Sequence, residues 1–311
     1  MSKRNRNSLV SVIVPTKNSE KTIKKCLESI LAQTYLSADR QDKNLEIIVV
    51  DNNSTDGTQR IVEDLRFKIH DSRIYLFNKG PERSAQRNFG AQKAKGEYLL
   101  FIDSDMELSK TVVEDCVNKI NEQKTINPSA SLRAGNNQGT RNKEQRTGGI
   151  IIPEESVGEG FWAKCKALER SFYVGVDWIE AARFFPKKIF EEFKGYDKKL
   201  ISGEDWDLNQ RVNKKYEIER INSFIYHNEG RLSLINLLNK KFYYAGKIKN
   251  YSSKSVNKKE FSTQLSLINR YKLFLSNPKK LFKNPILGFG VLFMITMEFF
   301  VGGMGYLKSN E

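Results

Sequence analysis

The sequence has few cysteines, few histidines and, along one stretch, almost no acids. Cys26, Cys116 and Cys165 are widely spaced and form no Cys-x-x-Cys pair, which argues against a disulfide framework and a zinc site. We expect three reduced thiols in a cytosolic domain. A secretion signal is not predicted, because residues 1–7 are polar and basic and the apolar run that follows is broken by Pro15 and Lys17.

The shortage of acids lies between Arg231 and Lys283. This stretch holds 13 Lys and Arg residues but only one acid, Glu260, and so carries +12 of the formal net charge of +15. Within residues 231–251, apolar and aromatic residues alternate with basic ones, as in a helix that lies on an anionic membrane surface. Nucleic acid would also attract such a stretch, so charge alone does not decide between the two partners.

The apolar segment at residues 285–307 favours the membrane. It is about as long as the ~20 residues that cross a bilayer core, and it lies between lysines, with Lys283 before it and Lys308 after it. Such flanks predict a membrane segment, spanning or interfacial, whose amino-terminal side is cytoplasmic. The alternative is a buried terminal helix or hairpin, because Glu298 in lipid is costly unless it is paired.

The first hundred residues alternate between strand and helix patterns, which predicts a doubly wound α/β domain in this chain of 311 residues. Strands are expected at residues 9–15, 45–50, 73–77 and 98–102. Helices are expected at residues 22–32, 59–65 and 83–94.

Two carboxylates, Asp103 and Asp105, follow the apolar strand at residues 98–102. Residues two apart on an extended chain point to the same side, so both face one point at the carboxyl end of the strand, where open α/β sheets bind ligands. Such oxygens suit Mg²⁺ or Mn²⁺ completed by substrate phosphates. The alternative is that both acids cap the next helix.

Later segments are less regular. Residues 124–147 are polar and predict a long mobile loop. Residues 221–227 predict a strand that ends at His227. Glu204 and Asp205 open a predicted helix, where capping is an alternative role for both acids. The further expected elements are a strand at 148–153, a helix at 160–173, a strand or extended segment at 178–185 and a short helix at 186–193.

Five short pieces of residues 8–230 together resemble the family 2 glycosyltransferases of the GT-A fold, including membrane-associated archaeal members. They are residues 12–20, 49–58, 83–91, 96–105 and the Gly-Glu-Asp-Trp at 203–206. The resemblance implies a mixed, mostly parallel sheet flanked by helices. We expect a catalytic domain at 8–230, a basic amphipathic membrane-surface region at 231–284 and a membrane segment at 285–307.

The resemblance also implies residue roles in nucleotide-sugar binding. Asp51 would accept hydrogen bonds from the base or ribose, with a role in its own turn as the alternative. Arg83, Arg87 and Asn88 would lie near the base or diphosphate, because the arginine fork donates two bonds to a phosphate; surface ion pairs are the alternative. Pro15, Asn18 and Glu20 would complete the nucleotide pocket.

For the chemistry, the resemblance implies that Asp103 reaches the ribose and metal, and that Asp105 holds the metal that bridges the diphosphate. His227 would be a further metal ligand or, alternatively, structural. Asp205, with Glu204 beside it, would be the catalytic base that takes a proton from a sugar hydroxyl, giving a single displacement with inversion.

The predicted protein is thus a metal-dependent glycosyltransferase on the cytoplasmic face of a membrane. It would move a sugar from a UDP or GDP sugar to a saccharide or lipid-linked acceptor in glycan or glycoprotein biosynthesis, and no nucleic acid partner is expected. One alternative is transfer to a polyprenyl phosphate, which is already ionised and for which Asp205 would be less necessary as a base. The others are a nucleotide- or nucleic-acid-binding protein and a non-catalytic membrane scaffold.

Overall fold

The computed structural model describes residues 8–35, 44–68, 73–126, 144–248, 251 and 258–308. Its strands are β1 (Val10–Thr16), β2 (Leu45–Asp51), β3 (Ile74–Asn78), β4 (Tyr98–Phe101), β5 (Met106–Leu108), β6 (Glu144–Ile151), β7 (Glu154–Glu159), β8 (Ala182–Pro186), β9 (Tyr216–Arg220) and β10 (Ile225–Arg231). Its first helices are α1 (Ile23–Leu31), α2 (Thr58–Lys68), α3 (Arg83–Lys93), α4 (Val112–Ile126), α5 (Gly160–Ser171), α6 (Lys187–Glu192), α7 (Glu204–Asn213) and α8 (Leu234–Lys247). The last four are α9 (Lys258–Gln264), α10 (Leu267–Leu275), α11 (Pro278–Leu281) and α12 (Pro285–Lys308).

The chain contacts divide it into two compact units. The first contains residues 1–153, 182–196 and 208–225, and the second contains residues 154–181, 197–207 and 226–311. The second unit therefore takes segments from within the predicted catalytic domain, in addition to the basic stretch and the apolar helix.

A seven-stranded sheet in the order β3-β2-β1-β4-β8-β6-β9 forms the centre of the first unit. The first four strands in this order run parallel, whereas β8 is antiparallel to both β4 and β6. The sheet is therefore mixed and mostly parallel, as predicted. The carboxyl ends of β1, β2 and β4 lie at one edge, because the three strands are parallel neighbours.

Apolar side chains of β1 pack on both faces of this sheet. Val12 and Val14 belong to one core cluster and Ile13 to the other, as expected where successive side chains point to opposite faces. Helix α3 approaches β1 closely at Gly90, where an added Cβ would lie 2.5 Å from Cγ2 of Ile13. The glycine is needed for this approach, and it sets the position of α3 over the sheet.

The second unit has a helical core. Its buried side chains come from α5, α8, α10, α11 and α12 and from the turn after α5, and they include Cys165, Phe172, Phe274 and Met294. The predicted segment at 285–307 is a single helix, α12, so the hairpin alternative is wrong.

Two sequence predictions need correction. The bounds predicted for the strand at 221–227 are wrong, since β9 ends at Arg220 and β10 begins at Ile225. The chain turns between them, where the hydroxyl of Ser223 donates to the carboxylate of Asp115. His227 consequently lies inside a strand. Part of the loop predicted at 124–147 is also regular structure, because α4 extends to Ile126 and β6 begins at Glu144; residues 127–143 lie outside the described residues.

Candidate active site

The loop that carries Asp103 and Asp105 follows β4 directly and is fixed by neighbouring side chains. The Ser19 and Ser104 hydroxyl oxygens lie 2.7 Å apart in a hydrogen bond. The Cys26 thiol donates to the carbonyl oxygen of Asp103 at 3.7 Å. Both aspartates remain partly exposed while Ser104 between them is buried. The loop thus presents two carboxylates from a rigid support.

Three arginines surround the carboxylate of Asp103. Arg87 donates from Nη2 to Oδ1 at 2.7 Å, and Nη1 of both Arg83 and Arg183 lies 4.0 Å from Oδ2. Burial alone would raise the pKa of Asp103, but the arginines, Arg87 foremost, hold it well below its usual range. Asp103 is therefore ionised at physiological pH, at a point rich in cationic donors.

The predicted arginines differ in exposure. The Arg87 side chain is 0% exposed, and its guanidinium carbon lies 5.2 Å from the centre of the Tyr196 ring. The Arg83 side chain is 43% exposed. Arg87 is thus built into the protein, whereas Arg83 is accessible to a ligand.

Asn88 is also used within the protein, because both its side-chain nitrogen and its side-chain oxygen bond to the backbone of Tyr196. Its Nδ2 donates to the carbonyl oxygen of Tyr196 at 2.7 Å, and its Oδ1 accepts from the amide nitrogen of Tyr196 at 2.9 Å. Asn88 therefore holds the ring that covers Arg87, which is a positioning role.

The loops after β1 and β2 bind each other through residues predicted to line the nucleotide pocket. Asn18, at a positive φ of 51°, accepts from the amide nitrogen of Thr55 at 2.9 Å. Glu20 accepts from the amide nitrogen of Gly57 at 2.9 Å. Both residues are exposed, whereas Pro15, which precedes them in β1, is buried. Pro15, Asn18 and Glu20 therefore lie together at the edge of the sheet where β1 and β2 end.

Asp51 is used mainly within its own loop. It is 1% exposed, and Oδ2 accepts from the amide nitrogen of Ser54 at 2.8 Å and from Nε2 of Gln59 at 2.7 Å. The hydroxyl of Ser54 donates to Oδ1. These bonds correspond to the turn role that the sequence left open for Asp51, and its contact with a nucleotide stays a prediction.

Three acids lie in the first turn of α7, and they differ in burial. Glu204 and Asp207 are buried, whereas Asp205 is partly exposed. The neighbouring Trp206 donates from Nε1 to the carbonyl oxygen of Ile179 at 2.7 Å, which anchors this turn within the second unit. Of the two predicted catalytic acids, Asp205 is the one that solvent reaches.

His227 lies on β10 of the second unit among charged side chains. Its Nδ1 is 4.0 Å from Oε2 of Glu154 and 4.0 Å from Oε1 of Glu229. Arg170 donates from Nη1 to Oε2 of Glu154 at 2.6 Å. Within the described residues, no group of three or more His, Cys, Asp and Glu side chains is arranged to hold a metal ion.

Sequence reasoning missed Arg183 as part of this site. It lies on β8, the antiparallel neighbour of β4, and its partner Asp103 is 80 positions away in the chain. The local sequence, Ala-Arg-Phe-Phe-Pro, is an ordinary half-buried strand. Only the strand order places this guanidinium beside Asp103.

A family model described as glycosyl transferase family 2 matches residues 11–177, which is more than half of the chain. The chain belongs to glycosyl transferase family 2. The match contains β1, β2, β4 and the loop with Asp103 and Asp105.

Curated relatives of this family 2 protein match it over part of their own lengths. It is 32% identical to glycosyltransferase GlyA of Streptococcus pneumoniae over 212 residues, which are 65% of this chain and 28% of GlyA. It is 36% identical over 115 residues to the GalNAc(5)-diNAcBac-PP-undecaprenol beta-1,3-glucosyltransferase of Campylobacter jejuni, covering 36% of this chain and 35% of that protein. The chain thus matches about a third of the length of either relative.

Among solved structures, the mannosyltransferase PcManGT of Pyrobaculum calidifontis shares the fold. The TM-score is 0.62 with 15% identity, and the match covers 98% of this chain and 88% of PcManGT, whose structure was determined with GDP-Man and Mn²⁺. The family 2 glycosyltransferase described here therefore has the GT-A fold that its sequence predicted.

Proposed function

We propose that this glycosyltransferase moves a sugar from a UDP or GDP sugar to a saccharide or lipid-linked acceptor, with inversion at the anomeric carbon. The donor class is supported by PcManGT, which was solved with GDP-Man and Mn²⁺. The acceptor class is supported by the Campylobacter relative, whose name specifies a saccharide on undecaprenyl diphosphate.

The three arginines around Asp103 support this proposal most directly. An ionised carboxylate lies within 4.0 Å of three guanidinium groups at the ligand-binding edge of a parallel sheet. Arg83, which is half-exposed, would donate to a diphosphate, and arginine suits that task because its fork is planar. Arg87 and Arg183 hold Asp103 in position and add positive charge.

A divalent cation fits the two aspartates by the chemistry of its donors. Asp103 and Asp105 supply hard carboxylate oxygens, and Mg²⁺ or Mn²⁺ is commonly held by one or two carboxylates together with substrate phosphates. Arg87 donates to Oδ1 of Asp103, and the carboxylates of Asp103 and Asp105 would together hold the metal. When bound, the metal would neutralise negative charge that develops on the departing nucleoside diphosphate.

His227 is proposed as a further metal ligand. Metal-binding histidines usually direct their second ring nitrogen towards a carboxylate, and Nδ1 of His227 faces Glu154 and Glu229. Nε2 is therefore the atom that would bind the cation.

Asp205 is the proposed general base, with buried Glu204 supporting the same turn. An acceptor hydroxyl is a poor nucleophile, and a carboxylate within hydrogen-bond reach takes its proton as the oxygen attacks the anomeric carbon. The bond from the anomeric carbon to the diphosphate oxygen breaks in the same step. One displacement of this kind inverts the configuration.

We further propose that the protein binds the cytoplasmic face of a membrane. Among the described residues, α12 is the one helix long and apolar enough to cross a bilayer, and the residues before it carry a large excess of positive charge. Cationic stretches of this kind are attracted to the anionic cytoplasmic leaflet.

A transfer assay tests the proposed function. Release of UDP or GDP is measured from a panel of sugar nucleotides, with Mn²⁺ and a lipid extract as the source of acceptor. We expect Asp205→Asn to lower the rate by about 10²- to 10⁴-fold, the usual contribution of a general base. The control Glu159→Gln, at an exposed acid of β7, should retain the wild-type rate. Retention of most of the rate by Asp205→Asn would instead indicate an acceptor that is already ionised, such as a polyprenyl phosphate.

A further inference from the structure

Helix α12 exposes a continuous apolar face. Six large apolar side chains of this helix have exposed fractions between 51% and 73%: Ile286, Phe289, Phe293, Phe300, Met304 and Leu307. They follow one another at intervals of three, four and seven residues, which places them on one side of an α-helix. We call this set the exposed stripe; it extends for almost the whole length of α12, which is about 36 Å at 1.5 Å per residue.

The opposite side of α12 packs against α5 and α8. An added Cβ at Gly290 would lie 2.6 Å from Sγ of Cys165, and one at Gly305 would lie 2.3 Å from the carbonyl oxygen of Phe242. The two glycines allow α12 to approach α5 and α8 closely near both of its ends. The helix therefore has one face packed against protein and one face that is largely exposed, on which the Phe289 ring centre lies 5.3 Å from that of Phe282 and the Phe293 ring centre lies 6.1 Å from that of Trp162.

Glu298, near the middle of α12, faces the protein. Its carboxylate is 2.9 Å from Nζ of Lys166 on α5 and 2.8 Å from Nζ of Lys241 on α8. Lys166 also pairs with Glu169 at 2.8 Å, so two acids and two lysines balance each other. The cost that an acid has in an apolar segment is offset by these pairs.

The Glu298 pair also places exposed lysines beside the middle of α12. The Lys241 side chain is 45% exposed, and its neighbour Lys240 is exposed as well. If α12 crossed a bilayer, residue 298 and this part of α8 would lie near the centre of the hydrocarbon, where lysine is costly. A helix with exposed lysines beside one flank of its midpoint and an apolar stripe on another flank fits the boundary between water and lipid.

Charge at the ends of α12 identifies the kind of membrane. Lys279 and Lys283 are exposed just before the helix, and Lys308 is its exposed last residue. Cations at both ends, with an apolar stripe between them, complement anionic headgroups at both ends of a helix that lies flat. A spanning helix would instead place these two groups of lysines in opposite leaflets.

We propose that α12 lies in the plane of an anionic membrane, with the exposed stripe inserted among the lipids and Glu298 directed away from them. This inference rests on the proposed membrane association and specifies its geometry: the last helix is interfacial and does not span.

Vesicle flotation tests whether the stripe binds lipid. The full chain is mixed with vesicles of phosphatidylcholine alone or of equal parts phosphatidylcholine and phosphatidylglycerol. We expect the protein to float with the anionic vesicles, and the triple variant Phe289→Ser, Phe293→Ser, Phe300→Ser to bind at least tenfold more weakly. The control Phe67→Ser removes a phenylalanine of α2 that is 77% exposed, and it should bind like wild type. Equal binding by the triple variant would overturn the proposal.

Depth measurements decide between a flat helix and a spanning one. A fluorophore is attached to single cysteines introduced at residues 286, 293, 300 and 307; the native cysteines are buried. A flat helix predicts equal quenching at all four positions by lipids that carry a shallow spin label, and weak quenching by deep ones. Deep quenching at 293 and 300 with shallow quenching at 286 and 307 would contradict the proposal and indicate crossing. A stable dimer that binds no vesicles, and that the triple variant dissociates, would assign the stripe to a second copy and equally overturn it.

Failure of this geometry is separable from failure of the proposed transferase function. Binding of UDP or GDP with Mn²⁺ is measured on the triple variant without lipid. Retained nucleotide binding together with lost flotation supports the proposal, because it shows that the variant is folded. If the wild type floats and its four labels are quenched equally, but it binds no nucleotide, the membrane geometry is supported and the transferase proposal is contradicted.

Discussion

Arg87 and Arg83 both lie near Asp103, but the structure predicts that their removal has different effects. The Arg87 side chain is 0% exposed and bonds to Asp103 at 2.7 Å. Arg87→Met would therefore leave a partly buried carboxylate without its main partner. Loss of one member of a buried ion pair costs about 3–5 kcal/mol of unfolding free energy. We expect the lower end, about 3 kcal/mol, because Arg83 and Arg183 remain at 4.0 Å.

Arg83→Met is the matched control, because it removes the same type of side chain from the same helix. Arg83 is 43% exposed and lies 4.0 Å from Asp103, and surface pairs contribute about 0–1 kcal/mol. We expect a fall in melting temperature of about 6 °C for Arg87→Met and at most about 2 °C for Arg83→Met, at about 2 °C per kcal/mol in a chain of this size. Arg83→Met should instead weaken binding of a nucleoside diphosphate.

The pH dependence gives a second test of the Arg87 prediction. The pKa of Asp103 is lowered in the folded protein, so its contribution to stability is fully present above the unfolded pKa of about 3.9 and is lost as the pH falls from there towards the folded pKa. The stability difference between wild type and Arg87→Met should therefore be constant from pH 7 to pH 5 and shrink below pH 4, measured by urea unfolding. Equal melting temperatures for the two variants, or a difference that grows in acid, would refute the reasoning.

The remaining predictions concern packing and a second buried charge. Burial alone would raise the pKa of Glu298, but its two lysine partners hold it at about 2; Glu298→Gln should therefore cost about 3 kcal/mol at pH 7. That cost should shrink between about pH 4.3 and pH 2 as the unfolded carboxyl is protonated first, whereas Glu159→Gln should cost little at any pH. Gly90→Ala should destabilise by about 1–3 kcal/mol because its Cβ would meet Ile13 at 2.5 Å. Gly303→Ala, in a helix with nothing within 4 Å, should stabilise by up to about 1 kcal/mol; thermal unfolding of both glycine variants checks the difference in sign.

The sequence predicted those features that depend on neighbouring residues. Runs rich in β-branched residues identified β1 and β2, because strands buried on both faces of a parallel sheet are mostly apolar. The position of Asp103 and Asp105 after such a run predicted two carboxylates at the carboxyl edge of the sheet, where the structure has them. Membership of the glycosyltransferase family and the GT-A fold were also predicted correctly.

Features that depend on distant parts of the chain were not predictable. Arg183 joins Asp103 only because β8 pairs with β4. The bounds of the strand that contains His227 were predicted incorrectly. Apolar residues at 221, 224 and 225 continue the pattern through a turn, and a hydrogen bond from Ser223 to Asp115 fixes that turn. The sequence showed that Glu298 needs a partner in an apolar environment, but Lys166 is 132 positions away and no local pattern connects the two.

The central claim is a metal-dependent site for a nucleoside diphosphate at Asp103 and Asp105, and thermal unfolding with added ligand tests it most directly. A ligand at 100 times its dissociation constant stabilises the folded state by about 2.7 kcal/mol. We expect UDP or GDP to raise the melting temperature of the wild type only when Mn²⁺ is present, and we expect Asp105→Asn to abolish this rise. An equal rise in Asp105→Asn, or a rise that does not require the metal, would contradict it.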